Sequence, residues 1–222
     1  MANVPTQEEI DDKIKYTVMS ADNIFGGDIA NASSYSDIKA MIKHHEGYNY
    51  TVSLDDDGYY KAGHGTKLQP TVYSDMDKDE RTGLGWQLGD SISPEIGETW
   101  FNRHFNESTV LDAKKVFPNF DSFNENQKGA LLDIMTVSGL TKFTSKSKGF
   151  PKLIQEANKP NPNWQKVADQ YKYAYPEVNK SDSTYSDWYI KAGYGNVDSR
   201  GDHIFELLQG TKTIQDILNI YK

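Results

Sequence analysis

The run Glu46-Gly47-Tyr48-Asn49-Tyr50-Thr51-Val52-Ser53-Leu54-Asp55, continued by Asp56-Asp57-Gly58-Tyr59-Tyr60-Lys61-Ala62-Gly63-His64-Gly65, decides how this chain is read. Upstream, Ile38, Met41, Ile42 and His45 recur at helical spacing behind Ser36, a natural N-cap, and Gly47 offers the left-handed backbone at which helices stop. Glu46 therefore closes a helix, where the partial negative charge of the helix end disfavours an ionised carboxylate. Downstream, Tyr48, Tyr50, Val52 and Leu54 alternate with polar residues as in a half-buried strand, and Asp57-Gly58 is a dipeptide that closes a tight hairpin. Asp55 falls at the strand end, beside the turn. A Glu able to hold a proton and a solvated Asp facing one groove is the pair that glycoside cleavage uses: one donates a proton to the leaving oxygen, the other stays charged.

This constellation resembles the T-even phage lysozymes, the muramidases of glycoside hydrolase family 24, which cut the glycan strands of bacterial peptidoglycan. Glu46, Gly47, Asp55, Gly58, Tyr59, Gly63 and Gly65 match the family pattern in identity and spacing. Two positions differ: Lys61 stands where the family has a Thr that helps hold the attacking water, and Thr66 where it has a His. A cation near Asp55 would favour its charged form, and loss of the hydroxyl bears on how water is oriented. The resemblance implies an α+β, lysozyme-like fold, a small β-hairpin lobe plus a larger, mainly helical lobe. It further implies that Gly129-Ala130-Leu131-Leu132-Asp133-Ile134-Met135 is a buried central helix, with Asp133 in place of the usual Asn and Thr136 at an aromatic groove position. Near the end, Gly195-Asn196-Val197-Asp198-Ser199-Arg200 looks like the segment whose Arg pairs with the catalytic Glu, which makes Arg200 the partner of Glu46.

Composition narrows the remaining classes. A chain of 222 residues, a quarter of them charged, suits a soluble protein of one large domain or of a compact domain with an extension. The net charge of −8 argues against nucleic acid as a partner and leaves no pull towards anionic envelopes, which mildly favours delivery by another component. No cysteine is present, so disulfides and thiolate metal sites are excluded. Met1 to Lys15 has no apolar h-region, so a Sec-type signal peptide is not expected; the chain would be made in the cytoplasm and reach the wall through host lysis or on a particle.

Along the chain, residues 1–33 read as an N-terminal extension, a helix with Ile10, Ile14 and Val18 on one face followed by a polar linker. The plain reading is a helix packed on the domain surface; the sharper one is a docking arm for a phage particle or delivery partner. Residues 34–222 form the lysozyme-like domain. Leu68 to Asp90 is charged and loop-rich, a third strand or a lid. Ser93-Pro94-Glu95 starts a helix carrying Ile96, Trp100, Phe101 and Phe105, and the central helix runs roughly from Glu125 to Val137. Asn161-Pro162 signals another with Trp164, Val167, Ala168 and Tyr171. Asp198 is the expected cap of a helix bearing Ile204, Leu207 and Leu208, ended by Gly210, and Thr213 caps the last.

His44, His45, Glu46 and His64 invite a metal reading, but adjacent histidines point about 100° apart on a helix and no His-Glu-x-x-His spacing occurs. No metal or other cofactor is expected. His64, between glycines, is instead a groove-lining candidate. The catalytic expectation is thus Glu46 as general acid and Asp55 as charge stabiliser or water activator, with Lys61, His64, Thr136 and Arg200 tuning or lining the site of a peptidoglycan-cutting hydrolase. Two alternatives stay open: a lytic transglycosylase, and a wall-binding or particle-structural module without turnover.

Overall fold

Asn49–Leu54, Tyr60–Gly63 and Thr66–Lys67 form strands β1, β2 and β3 of one antiparallel sheet in chain order, and nearly all other regular structure is helical. The computed structural model describes residues 35–55, 58–68, 87–173, 185–193 and 198–222. Apart from Ser36, the first residue of the first helix, the elements below belong to the unit Asp37–Lys222. The expected N-terminal helix and linker, and most of the stretch from Leu68 to Asp90, lie outside the described residues.

Helix α1, Ser36–Glu46, has Asp37 in its first turn and Lys43, His44 and His45 in its last, charges that complement the helix dipole. Its apolar stripe buries Ile38, Met41 and Ile42, and Gly47 at φ +66° stops it as expected. The chain then enters β1. Leu54 pairs with Tyr60 beside the turn, and the Asp55 amide donates to the Tyr59 carbonyl at 2.8 Å.

The expected in–out alternation of β1 is only partly realised. Val52 is buried, but Tyr50 is 62% exposed and Leu54 also faces out. The reason is a break in register: Asn49 opposes Gly63 and Ser53 opposes Lys61, so residues 50–52 have only Ala62 facing them. Those residues bond instead to a segment running along the other edge of β1. The Val52 amide donates to the Asp90 carbonyl (2.9 Å), the Gly89 amide to the Val52 carbonyl (2.9 Å) and the Ile92 amide to the Tyr50 carbonyl (2.7 Å). An edge that would otherwise present unpaired backbone groups is thereby covered.

Helix α2, Pro94–His104, starts at the Ser93 cap with Pro at its first position, as its sequence requires. A π-helical turn, Phe105–Thr109, carries it into α3, Val110–Val116. Helix α4, Glu125–Thr144, opens with a capping box between Asn124 and Gln127 and buries every residue from Gly129 to Met135. Gly139, at φ 66° and ψ 163°, kinks it close to the expected end at Val137.

The remaining helices are α5 (Pro151–Ala157), α6 (Trp164–Lys172), α7 (Asp187–Lys191), α8 (Arg200–Gln209) and α9 (Ile214–Ile220). Two caps differ from expectation. Asn163, not Asn161, caps α6, because its side chain is the one that reaches the Lys166 amide, at 3.1 Å. Ser199, not Asp198, caps α8 by accepting from the Asp202 amide; Asp198 precedes it at a left-handed φ of 56°. Gly210 ends α8 and Thr213 caps α9 as expected. Phe117, Phe120, Phe143, Leu131, Leu132 and Leu153 are among the fully buried side chains of the helical part. The class is α+β, a small antiparallel sheet with a larger set of helices.

Candidate active site

Glu46 is the last residue of α1, so its backbone is held by the helix while its side chain emerges where the helix stops. Its carboxyl Oε1 accepts from Arg200 Nη1 at 2.6 Å, the pairing that the resemblance implied. Arg200 opens α8 directly behind the Ser199 cap, so the capping geometry aims the guanidinium. The other oxygen, Oε2, lies against Gly65, where a Cβ would stand only 2.7 Å away. Gly65 takes a φ of +69° in the turn between β2 and β3, and glycine is needed there for both backbone and space.

Arg200 is shared. Its Nη2 donates to Asp133 Oδ1, so one guanidinium bridges a carboxylate on α1 and another on α4. Asp133 is fully buried and also accepts from His45 Nδ1 at 2.7 Å. His45 Nε2 lies 3.0 Å from Nδ1 of the fully buried His203 on α8. One hydrogen bond joins the two rings, and the tautomers of His45 and His203 set which of them donates it. Burial works against the Asp133 charge, yet Arg200 and His45 together hold its carboxyl below the usual range. Burial likewise opposes the charge of Arg200, and Asp133 and then Glu46 overcome this and raise its proton affinity. His203 is pushed down to about 4, by burial first and by His45 second.

Asp55 is held differently. Its Oδ1 accepts from the Tyr59 amide at 2.8 Å, fixing the carboxylate to the hairpin turn. Oδ2 faces Lys67 Nζ at 3.4 Å, and that ammonium also lies 3.8 Å from the centre of the Tyr59 ring. The cation at Asp55 is thus Lys67 rather than Lys61. Lys61 stands opposite Lys67 across the sheet, and among the described residues its ammonium makes no ion pair. The turn into β3 and β3 itself therefore reach both acids, Glu46 through Gly65 and Asp55 through Lys67 two residues on. A contrast of one shielded acid and one wet acid is not seen in exposure, since the Glu46 and Asp55 side chains are 18% and 16% exposed. The asymmetry lies in their partners: a buried guanidinium for one, a backbone amide and an exposed lysine for the other.

His64 braces two elements. Its ring reaches the Gly47 carbonyl at 2.6 Å and Glu98 on α2 at 3.2 Å, edge-on to Tyr48 and Phe101, and Lys43 holds the same Glu98 at 2.9 Å. Thr136 lies one helical turn beyond Asp133 on α4 and turns its hydroxyl back to the Leu132 carbonyl at 2.8 Å. Among the described residues no group of His, Cys, Asp and Glu side chains has the arrangement of a metal site.

No family model matches the chain, and no curated protein matches it in sequence. Among solved structures the chain is similar to the muramidase domain of SpmX from Asticaccaulis excentricus, with 15% identity and a TM-score of 0.50 over 78% of this chain and 95% of that one. The fold is lysozyme-like. That likeness is one of fold and does not extend to the T-even phage group in particular.

Sequence reasoning named Glu46, Asp55 and Arg200 as site residues, noted Asp133 and His45 without giving either a role beside Glu46, and passed over His203. Asp133 carried a signal nonetheless: an acidic residue inside the apolar run Gly129–Met135 must be buried, and a buried carboxylate needs partners. Which partners it finds depends on α1 and α8, and no local pattern encodes that.

Proposed function

We propose that the chain is a peptidoglycan-cutting glycosidase of the muramidase kind, acting between N-acetylmuramic acid and N-acetylglucosamine. The observation that carries this reading is the Glu46 carboxylate, fixed at a helix end by Arg200 and closed on its other side by Gly65, in a chain of lysozyme-like fold whose β1–β2 turn also bears Asp55. Glu46 is the general acid: protonated, it gives its proton to the glycosidic oxygen as the bond to the anomeric carbon breaks. Asp55, held by the Tyr59 amide and facing Lys67, stabilises the positive charge that develops on the sugar ring. Replacement of Glu46 with Gln removes the proton at nearly constant shape. It is expected to abolish the turbidity loss of purified peptidoglycan while the circular dichroism and melting temperature stay as in the parent. Full activity in that variant would reject the assignment.

A second reading, lytic transglycosylation, is favoured by the state of Asp55. With one oxygen bonded to a backbone N–H and the other facing an ammonium, both Asp55 oxygens are already engaged, which works against their orienting an attacking water. The sugar's own hydroxyl then attacks, with Glu46 taking back a proton. Product mass spectrometry separates the two: reducing ends mark hydrolysis, anhydromuramyl ends mark transglycosylation, and absence of either from sacculi that bind the protein leaves a wall-binding module.

A further inference from the structure

The stretch between Asp133 and Glu156 contains no acidic residue and four lysines, Lys142, Lys146, Lys148 and Lys152, in a chain whose net charge is −8. Its middle closes into one turn between the end of α4 and the start of α5. Phe143 and Phe150, both buried, pack with ring centres 5.4 Å apart and anchor the two ends, and the Phe150 amide donates to the Phe143 carbonyl at 2.9 Å. Inside the turn, the Gly149 amide donates to the Ser145 carbonyl (2.9 Å) and the Lys148 amide to the Ser145 hydroxyl (3.2 Å). A Cβ at Gly149 would run into the carbonyl oxygens of Lys142, Phe143 and Ser145, so only glycine lets the turn draw in this far. From α7, the Trp188 indole donates to the Lys148 carbonyl at 2.8 Å, and its ring centre lies 5.5 Å from that of Phe150.

The turn is thus fixed by its own backbone and carries its charge outward. Lys146 and Lys148 are exposed and, among the described residues, make no ion pair. On α7, Lys191 is exposed in the last turn, and Asp187, next to Trp188, is an exposed acid. Lysines gathered on a rigid turn repel one another, and an anionic partner relieves that repulsion. We propose that this turn is a docking surface for a polyanionic, phosphodiester-bearing polymer of the bacterial wall, held by the Lys146 and Lys148 ammoniums on its phosphate oxygens.

Four features select that partner. The net charge gives the whole chain no pull towards an anion, but the screening length at physiological salt is about 8 Å, so a polymer strand meets the local lysines and not the distant acids. The stretch holds lysines and no arginine, and an ammonium serves a phosphate as a point charge without the fork geometry that carboxylates favour. The turn is already ordered, so little conformational freedom is lost on binding. Its large apolar side chains, Phe143 and Phe150, are buried, which leaves no apolar face on the turn to enter a lipid surface. Helix α4, which carries Asp133 against Arg200, runs directly into this turn, so a bound polymer is tethered to the helix that supports the candidate site. The meaning of the surface as an anchor for wall cutting rests on the glycosidase reading; the binding itself does not.

The test uses the full chain and fluorescently labelled poly(glycerol phosphate), a polymer with no glycosidic bond between its repeats, read by anisotropy at about 0.15 M salt. The parent should bind saturably, and Lys146→Glu/Lys148→Glu should weaken binding by at least about fivefold, as expected for two exposed ion pairs lost and reversed. The control Lys115→Glu/Lys222→Glu makes the same change of net charge elsewhere and should stay within about twofold of the parent. If the first pair does not fold, Lys146→Gln/Lys148→Gln makes the same test by loss of charge alone. No binding by the parent, or equal weakening in the two glutamate pairs, overturns the proposal. Tighter binding to phosphatidylglycerol vesicles or to single-stranded DNA than to the polymer also overturns it, and assigns the lysines to a membrane or a nucleic acid. On sacculi stripped of phosphate polymers, Lys146→Glu/Lys148→Glu should cut at the parent rate, whereas on unstripped sacculi it should cut more slowly. A parent that binds the polymer but cuts no sacculi counts against the glycosidase reading and leaves the docking surface supported.

Discussion

Gly65 offers the sharpest test of how tightly Glu46 is held. A Cβ at this position would stand 2.7 Å from Glu46 Oε2, so the carboxylate in Gly65→Ala must retreat by roughly half an ångström or more to reach ordinary contact. Its only hydrogen bond among the described residues is the 2.6 Å contact from Arg200, which pulls against that retreat. Displacement of a catalytic group by about 1 Å can cost on the order of 10²-fold, so Gly65→Ala should lose roughly 10- to 100-fold in kcat/KM on peptidoglycan. The same substitution places a side chain at φ +69°, which costs about 1–2 kcal/mol whatever the space. For a chain of this length that lowers Tm by about 2–8 °C. Gly210→Ala supplies the control: φ is +74°, nothing lies within 4 Å of the added carbon, and the position is the end of α8. Calorimetry should therefore find similar losses of Tm in both variants, and a turbidity assay should find lost activity in Gly65→Ala alone. Parent-like turnover in Gly65→Ala, or an equal fall in Gly210→Ala, would refute the view that Gly65 holds the Glu46 carboxylate in place.

Two other expectations concern charge. His203 is buried and remains neutral down to about pH 4, whereas the unfolded chain protonates at the ordinary imidazole value, so the unfolded state binds more protons between those limits. Stability is then highest above about pH 6.5 and falls as the pH drops towards 4, by roughly 2–3 kcal/mol from this group. Urea unfolding at pH 7 and pH 4.5 should show that decline in the parent and a distinctly smaller one in His203→Leu; equal declines would count against it. At Asp55, Lys67→Met should lower kcat/KM on peptidoglycan by up to about fivefold, the modest effect of an exposed ion pair, while Lys61→Met leaves it in place. The opposite order would restore Lys61 as the controlling cation.

Much of the fold is legible where its cause is local. The Ser93-Pro94 start of α2, the Gly210 stop of α8, the Thr213 cap of α9 and the Glu46-Gly47 helix end are all contacts among residues within a turn of one another, so sequence spacing encodes them. Local readings failed where longer-range bonding intervened. The β1 alternation gave way because residues 89–92 took the backbone partners of Tyr50 and Val52. The caps of α6 and α8 moved because several neighbouring Asn, Asp and Ser residues offer similar side chains, and the path of the incoming chain selects one.

From the amino-acid order alone came Glu46 at a helix end, Asp55 at a hairpin turn and a glycine pair between β2 and β3, because helix periodicity, turn chemistry and steric freedom act over a few residues. Only the tertiary structure decided that Arg200 lies between Glu46 and Asp133, that His45 and His203 stand behind Asp133, and that Lys67 takes the place at Asp55 that Lys61 was expected to fill. The physical reason is that electrostatic partnership falls off with distance through space. Asp133 and Arg200 are 67 positions apart in the chain, and Glu46 and Arg200 are 154 apart, so their contacts exist only once α1, α4 and α8 have packed.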